Sequence, residues 1–132
     1  GFDDFVANSV LSNCNNLEDL ELMNLANLSR FTFISNLKNL RTSNLEGLKK
    51  IDLYKDFGQC DSLRVISGYD SRPLDKSLVG LENLDSIILG DSYSKSEIDS
   101  FVKRFKGRNL WIRGKQILGN NKFGGRISIL NE

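Results

Sequence analysis

The sequence contains no histidine. Histidine is the commonest general base near neutral pH, so its absence excludes Ser-His and Cys-His nucleophilic pairs and histidine metal ligation. The two cysteines, Cys14 and Cys60, stand far apart in the chain and do not form a zinc motif. We therefore expect no catalytic residues, no metal site, no cofactor and no enzymatic activity.

The chain also lacks the features of a membrane-spanning or nucleic-acid-binding protein. No apolar run approaches the roughly 18 residues of a transmembrane helix. Lys and Arg total 18 against 17 Asp and Glu, so the formal net charge is only +1 and no basic surface for nucleic acid is indicated. A chain of 132 residues with 39% hydrophobic content is sufficient for one globular domain.

An internal repeat is present instead. Within Leu78–Leu89, apolar residues recur first at three-residue and then at two-residue spacing, which predicts a helical turn that runs into a strand. Equivalent segments start at Leu17, Leu40, Leu63, Leu84 and Gly107, in steps of 23, 23, 21 and 23 residues. With these residues as position 1, positions −6, −3, 1, 4 and 6 are apolar except at Ser43, Gly68, Arg104 and Gly107.

A repeat of this length predicts a solenoid in which each unit covers the apolar side of the next. We predict an N-terminal capping helix in residues 1–16, four repeats over 17–106 that start at 17, 40, 63 and 84, and a last repeat with a C-terminal cap in 107–132. The fold class is then α/β. A parallel sheet of five or six short strands forms one face, and short helices or turns form the other.

Several local features add to this prediction. The capping helix presents Phe5 and Val10 in an apolar stripe, and Phe31-x-Phe33 is typical of an extra short strand. In the fourth repeat, Ser94 and Glu97 have the spacing of a capping box that opens a helix, and Gly107 is expected to end that helix. The alternation of Ile127 and Ile129 predicts a sixth strand within Arg126–Leu130.

Three predictions concern polar residues. The hydroxyl of Ser43, in an inward slot, is expected to bond a neighbouring carbonyl group. The carboxylates of Asp52 and Asp56 are expected to lie on solvated surfaces. Cys14 and Cys60 occupy the same inward slot two repeats apart, roughly 10 Å at strand spacing, so we expect two buried thiols without a disulfide.

The free thiols favour an intracellular, cytoplasmic location. The sequon Asn27-Leu28-Ser29 points instead to an extracellular one. The start at Gly1-Phe2-Asp3-Asp4, without methionine, is typical of a piece of a longer protein.

Side chains between the inward ones should point to the exposed strand face and form columns, one residue per repeat. The third position gives Asp19, Thr42, Val65, Ser86 and Asn109; the fifth gives Glu21, Asn44, Ser67, Ile88 and Trp111; the seventh gives Met23, Glu46, Tyr69, Gly90 and Arg113. Acids and amides dominate the first two repeats, and aromatic, aliphatic and arginine residues dominate the last three.

Repeats of this length with the strand pattern L-x-x-L-x-L resemble the leucine-rich repeat superfamily over about residues 11 to 130. The junction Phe57-Gly58-Gln59-Cys60-Asp61-Ser62-Leu63 looks like the short bacterial and protist surface class, and Leu84–Tyr93 is similar to the FNIP repeats. These resemblances imply binding of another macromolecule.

The sequence therefore predicts a non-catalytic protein-binding module, the recognition arm of a larger intracellular protein. Trp, Tyr and Arg dominate interface energetics, so we predict that it binds a protein partner through the exposed strand face of the C-terminal repeats. The predicted binding residues are Val65, Tyr69, Ile88, Trp111, Arg108 and Arg113. One alternative is an extracellular adhesin or receptor-like domain, and another is that Trp111 and Ile88 pack beneath a C-terminal cap. The oligomeric state is left open.

Overall fold

Short segments with alternating burial form the sheet of the computed structural model, which describes residues 1–119. The strands are β1 (Asp19–Met23), β2 (Thr42–Glu46), β3 (Val65–Tyr69), β4 (Ser86–Leu89), β5 (Asn109–Ile112) and β6 (Lys115–Leu118). They form one open six-stranded sheet in sequence order. The fold is therefore mixed α/β, as predicted.

The first five strands pair in parallel, and their register follows the repeat frame. Asp19 lies opposite Thr42, Thr42 opposite Val65, Val65 opposite Ser86, and Ser86 opposite Asn109. β6 differs, because it returns antiparallel to β5. The predicted strand at Arg126–Leu130 lies outside the described residues.

The chain enters each of the first four strands through two successive tight turns. In the first turn, the amide at position −3 donates to the carbonyl group at position −6; the pairs are Cys14 to Leu11, Leu37 to Ile34, Cys60 to Phe57 and Leu81 to Leu78. In the second turn, the amide at position 1 donates to the carbonyl group at position −3; the pairs are Leu17 to Cys14, Leu40 to Leu37, Leu63 to Cys60 and Leu84 to Leu81. Each bond joins residues three apart, so positions −6, −3 and 1 face the same side. This geometry explains why they are apolar.

Helices and turns lie on the side of the sheet that the core occupies. They are α1 (Asp4–Leu11), two short 3₁₀ helices (Thr32–Asn36 and Lys55–Gln59), and α2 (Lys95–Arg104). The extra strand predicted at Phe31-x-Phe33 is wrong. Phe31, Phe33 and Ile34 are all fully buried, whereas a strand would place the adjacent Phe33 and Ile34 on opposite faces.

The predicted apolar stripe of α1 is correct only in part. Phe2, Leu11 and Cys14 pack against the core and Ala7 is buried, but Phe5 is 78% exposed and Val10 is exposed too. Polar contacts attach α1 as well. The carboxylate of Asp4 accepts hydrogen bonds from the backbone amides of Ser29 and Arg30, at 2.8 and 3.1 Å, and from the Ser29 hydroxyl.

The capping box of α2 is half as predicted. Ser94 Oγ accepts a hydrogen bond from the Glu97 amide at 3.1 Å, but Glu97 Oε2 accepts from the Leu78 amide at 2.8 Å, in the preceding unit. Gly107 does not end this helix, because Phe105 already has extended backbone angles. A Cβ atom on Gly107 would lie 2.1 Å from the carbonyl oxygen of Leu84, so this position needs glycine for close approach.

Three predictions for polar residues need correction. Ser43 Oγ is buried and has no hydrogen-bond partner among the described residues. Asp56 is not solvated but buried, whereas Asp52 is exposed as expected. Cys60 is buried, but Cys14 is only half-buried; both thiols are free.

Candidate protein-binding surface

The solvent face of β3, β4 and β5 carries the predicted apolar residues, here called the aromatic patch: Val65, Tyr69, Ile88 and Trp111. Tyr69 and Ile88 are 47% and 40% exposed, and Val65 and Trp111 are half-buried. Their neighbours Ile66, Ile87 and Leu110 point the other way and are fully buried. The alternation of each strand therefore turns the patch away from the core.

The register brings Ile88 and Trp111 together. These residues are paired across β4 and β5, and Gln116 of β6 is paired with Trp111 on the other side. Adjacent strands lie about 4.8 Å apart, so the Ile88 and Trp111 side chains are nearest neighbours on one face. Trp111 thus lies between Ile88 and Gln116 in the sheet.

Tyr69 lies at the carboxyl end of β3, where its ring covers a glycine. A Cβ atom on Gly90 would lie 2.4 Å from Cδ1 of Tyr69, so the ring occupies the space that a side chain at position 90 would need. Gly90 belongs to the seventh column of the repeat, and no role was predicted for it. An isolated glycine directly after an apolar strand was the available signal.

The turn that follows Tyr69 is fixed by Ser71, which is fully buried and makes four hydrogen bonds. Ser71 Oγ donates to the Tyr69 carbonyl and accepts from the Leu48 amide, each at 3.0 Å. The Ser71 amide donates to Asp91 Oδ2 at 3.0 Å, and the Tyr54 hydroxyl donates to the Ser71 carbonyl. These hydrogen bonds fix the backbone conformation directly after Tyr69.

Tyr54 also explains the glycine in the inward slot of β3. A Cβ atom on Gly68 would lie 3.1 Å from Leu89 and 3.5 Å from the Tyr54 hydroxyl, so Tyr54 fills the space left by the missing side chain. Burial raises the pKa of the Tyr54 phenol well above its usual value. Tyr54 therefore stays neutral and acts as a structural hydrogen-bond donor.

The two predicted arginines are exposed at opposite ends of β5. Arg108 precedes the strand and Arg113 follows it, which separates them by roughly 16 Å along the strand direction. Arg113 lies at the same end of the sheet as Tyr69. The structure thus brings Ile88 and Trp111 together, places Tyr69 and Arg113 at one end of the patch, and sets Arg108 apart at the other.

The remaining strand face is polar. The Thr42 hydroxyl bonds the Asp19 carboxylate, Ser67 Oγ donates to Asn44 Oδ1 at 2.8 Å, and Asn109 Nδ2 donates to Ser86 Oγ at 3.1 Å. Asp19, Glu21 and Glu46 are exposed at the β1 and β2 end. Acidic residues are therefore concentrated at the β1 and β2 end of this face, together with the exposed Met23, and the aromatic patch lies toward the other end.

No group of three or more His, Cys, Asp or Glu side chains within residues 1–119 has a metal-binding arrangement. In the same part of the chain, no helix has the length and apolar character needed to cross a membrane. No protein-family model, curated protein or solved structure matches the chain.

Proposed function

We propose that this chain is a non-catalytic protein-binding module of the leucine-rich-repeat type that binds a protein partner through the aromatic patch. The observation that carries this proposal is the exposure of Tyr69 and Ile88, 47% and 40%, beside Trp111 on a regular sheet face. Large apolar side chains on a flat, ordered surface are typical of interaction sites.

Backbone features that recur every 23 residues support the repeat assignment. Asn24, Gly47 and Asp70, each directly after a strand, all have positive φ angles, of 57°, 68° and 52°. On the outer side, the Asp52 amide donates to the Ser29 carbonyl and the Asp75 amide donates to the Asp52 carbonyl. The same local conformation is thus used at equivalent positions of the units that start at 17, 40 and 63, as expected for a solenoid.

The composition of the patch favours a protein partner. Aromatic side chains offer a large contact area at a low cost in conformational entropy, and Arg113 adds a charged donor at the edge. A protein that met the whole face would place apolar groups on the patch and basic groups on Asp19, Glu21 and Glu46. We further propose that the module is the recognition arm of a larger intracellular protein, which the two free thiols support.

The test begins with the immobilised chain and an extract of the cells that produce it. A protein retained by the native chain should be lost with Ile88→Asp and kept with Met23→Asp. Met23 is a matched control, because it is 44% exposed on the same face but lies on β1. Retention by Ile88→Asp as strong as by the native chain would rule out the aromatic patch.

Binding constants with the purified partner then measure the contribution of each residue. Trp111→Ala and Tyr69→Ala should each weaken binding by about 2 kcal/mol, or roughly thirtyfold in Kd. Trp111 is half-buried, so its removal also lowers the stability of the free module. The more exposed Tyr69 separates the two effects, because Tyr69→Ala should change the free energy of unfolding by no more than about 0.5 kcal/mol.

A further inference from the structure

A polar groove of about 500 Å³ opens at the amino-terminal ends of β1, β2 and β3. The residues that decide its chemistry are Glu18, Lys38, Asn39, Arg41, Ser62 and Arg64. The volume is within the range of small-molecule sites, which span roughly 300–1,000 Å³. The groove lies at the opposite end of the strands from Tyr69, and its lining includes no residue of the aromatic patch.

Three cations surround this groove with little charge to balance them. Lys38, Arg41 and Arg64 are all exposed, and Glu18 is the one carboxylate that lines the groove. The ion pairs formed within residues 1–119 involve Arg30, Lys49, Lys95 and Arg104, and none of the three groove cations. The groove therefore carries a local positive charge in a chain whose net charge is only +1.

Arg41 and Arg64 stand side by side. The Arg64 amide donates to the Arg41 carbonyl at 2.8 Å, and the following residues, Thr42 and Val65, are paired in the sheet. Like charges directly opposite on neighbouring strands are destabilising. At the equivalent position the other units carry Glu18, Asp85 and Arg108, so every other neighbouring pair in this row is of opposite charge. An anion between Arg41 and Arg64 would relieve the repulsion.

The groove is also pre-organised. Nη1 of Arg64 donates to the carbonyl groups of Asp61 and Leu63, at 2.8 and 3.1 Å, which fixes the guanidinium without neutralising it. Asn39 Nδ2 donates to the Asn15 carbonyl at 2.7 Å, and Ser62 Oγ donates to the Leu40 carbonyl at 2.6 Å. Side chains held in this way lose little entropy when a ligand binds.

We propose that this groove binds a small phosphate ester. The phosphate group lies between Arg41 and Arg64, with Lys38 as a third cation, because planar guanidinium groups match the paired oxygens of a phosphate. Glu18, which lies beside Arg41 in the same row, accepts a hydrogen bond from a hydroxyl group on the same ligand. The proposal does not depend on the aromatic patch, and either site can fail without the other.

Isothermal titration calorimetry at about 0.1 M salt, with ribose 5-phosphate and inorganic phosphate as probes, tests the proposal. Ribose 5-phosphate should bind with a Kd below about 1 mM, and Arg41→Gln or Arg64→Gln should weaken it at least tenfold, as expected for a lost charge-assisted hydrogen bond. Lys103→Gln, which removes an exposed cation on α2, should leave Kd within about twofold.

Glu18→Gln distinguishes an ester from a free anion. It should weaken binding of ribose 5-phosphate more strongly than binding of inorganic phosphate, because the ester offers sugar hydroxyl groups to the carboxylate, whereas inorganic phosphate offers only its own protonated oxygen. Amide chemical shifts of Arg41 and Arg64 should move on titration, while the Trp111 indole signal should not. Any of three results would overturn the proposal. These are no saturable binding of either probe, a loss of affinity with Lys103→Gln equal to that with the arginine variants, or equal affinity for both probes together with no effect of Glu18→Gln.

Discussion

The carboxylate of Asp56 joins two units of the fold, although the sequence analysis placed it on a solvated surface. It accepts hydrogen bonds from Nε and Nη2 of Arg30 and from the Phe31 amide, each at 2.9 Å, and the residue is only 4% exposed. Asp56→Asn should lower the free energy of unfolding by about 1–3 kcal/mol, since the Phe31 amide and the Arg30 side chain, which is 42% exposed, lose a charged acceptor. Asp52→Asn, an exposed neighbour, is the matched control in urea denaturation and should change stability by less than about 0.5 kcal/mol.

The same carboxylate makes stability depend on pH. The hydrogen bond from Arg30 lowers the pKa of Asp56 despite the opposing effect of burial. A folded-state pKa below the unfolded value means that the stabilisation is fully present above about pH 4 and is lost as pH falls through the folded-state pKa. Native chain and Asp56→Asn should therefore differ most in midpoint temperature near neutral pH and converge in acid. A difference that stays constant down to about pH 2 would contradict this.

Ser43 is the opposite case, a buried hydroxyl without a partner in the described residues. Ser43→Ala should raise the free energy of unfolding by about 1 kcal/mol, because the cost of an unsatisfied polar atom disappears while the lost volume is small. Ser67 of β3 serves as the control, because its hydroxyl bonds Asn44 of β2 on the solvent face of the sheet. Ser67→Ala should be neutral or destabilising in the same denaturant titration.

At the scale of elements, two residues with left-handed backbone conformation form the turn of the β5–β6 hairpin. Arg113 and Gly114 have φ angles of 51° and 75°, the geometry of a type I′ turn, in which Asn-Gly is preferred. Arg113→Asn should therefore stabilise the module by about 0.5–1 kcal/mol. Thermal unfolding gives the measurement, and a lower midpoint temperature would show that the Arg113 side chain makes contacts that matter more than its backbone conformation.

The elements differ in how far the sequence could predict them. The parallel register followed from the 23-residue spacing, because position 4 of every unit is inward-facing and a one-residue slip would expose it. The 3₁₀ helix at Thr32–Asn36 could not be separated from a strand, since three closely spaced apolar residues fit either element. The antiparallel β6 was missed because Arg-Gly is a weak turn signal.

The aromatic patch and the groove were predictable only in part. The alternation of each strand gave the outward residues of the aromatic patch, but long-range packing set Gly68 beneath the Tyr54 hydroxyl and Gly90 beneath the Tyr69 ring. The isolated glycines are a local signal, but the identity of the ring that covers each one is not. For the Arg41 and Arg64 pair, the proximity follows from the register, whereas the absence of an ion pair to either residue within residues 1–119 depends on side-chain packing.

For the whole molecule, the reactivity of each thiol reports on how well the core is covered at that cysteine. Cys60 is 7% exposed and lies within the fold, whereas Cys14 is half-buried beside α1. A thiol reagent should therefore modify one cysteine rapidly in the native protein and the second only after denaturant is added. Rapid native modification of both, measured with Cys14→Ser as the control, would contradict the burial of Cys60.

The buried ring cluster of Phe31, Phe33, Tyr54 and Phe57 lies in the segments that connect β1, β2 and β3, with the centroids of Phe31 and Phe57 4.4 Å apart. The aromatic patch extends from β3 to β5, and the connections between these strands contain one helix, α2. Neighbouring units contact residues about 23 positions away, so order can start at the ring cluster and spread outward one unit at a time. Amide hydrogen exchange should then be slowest in β2 and fastest in β6, which makes the half that carries the aromatic patch the first to open and the last to fold.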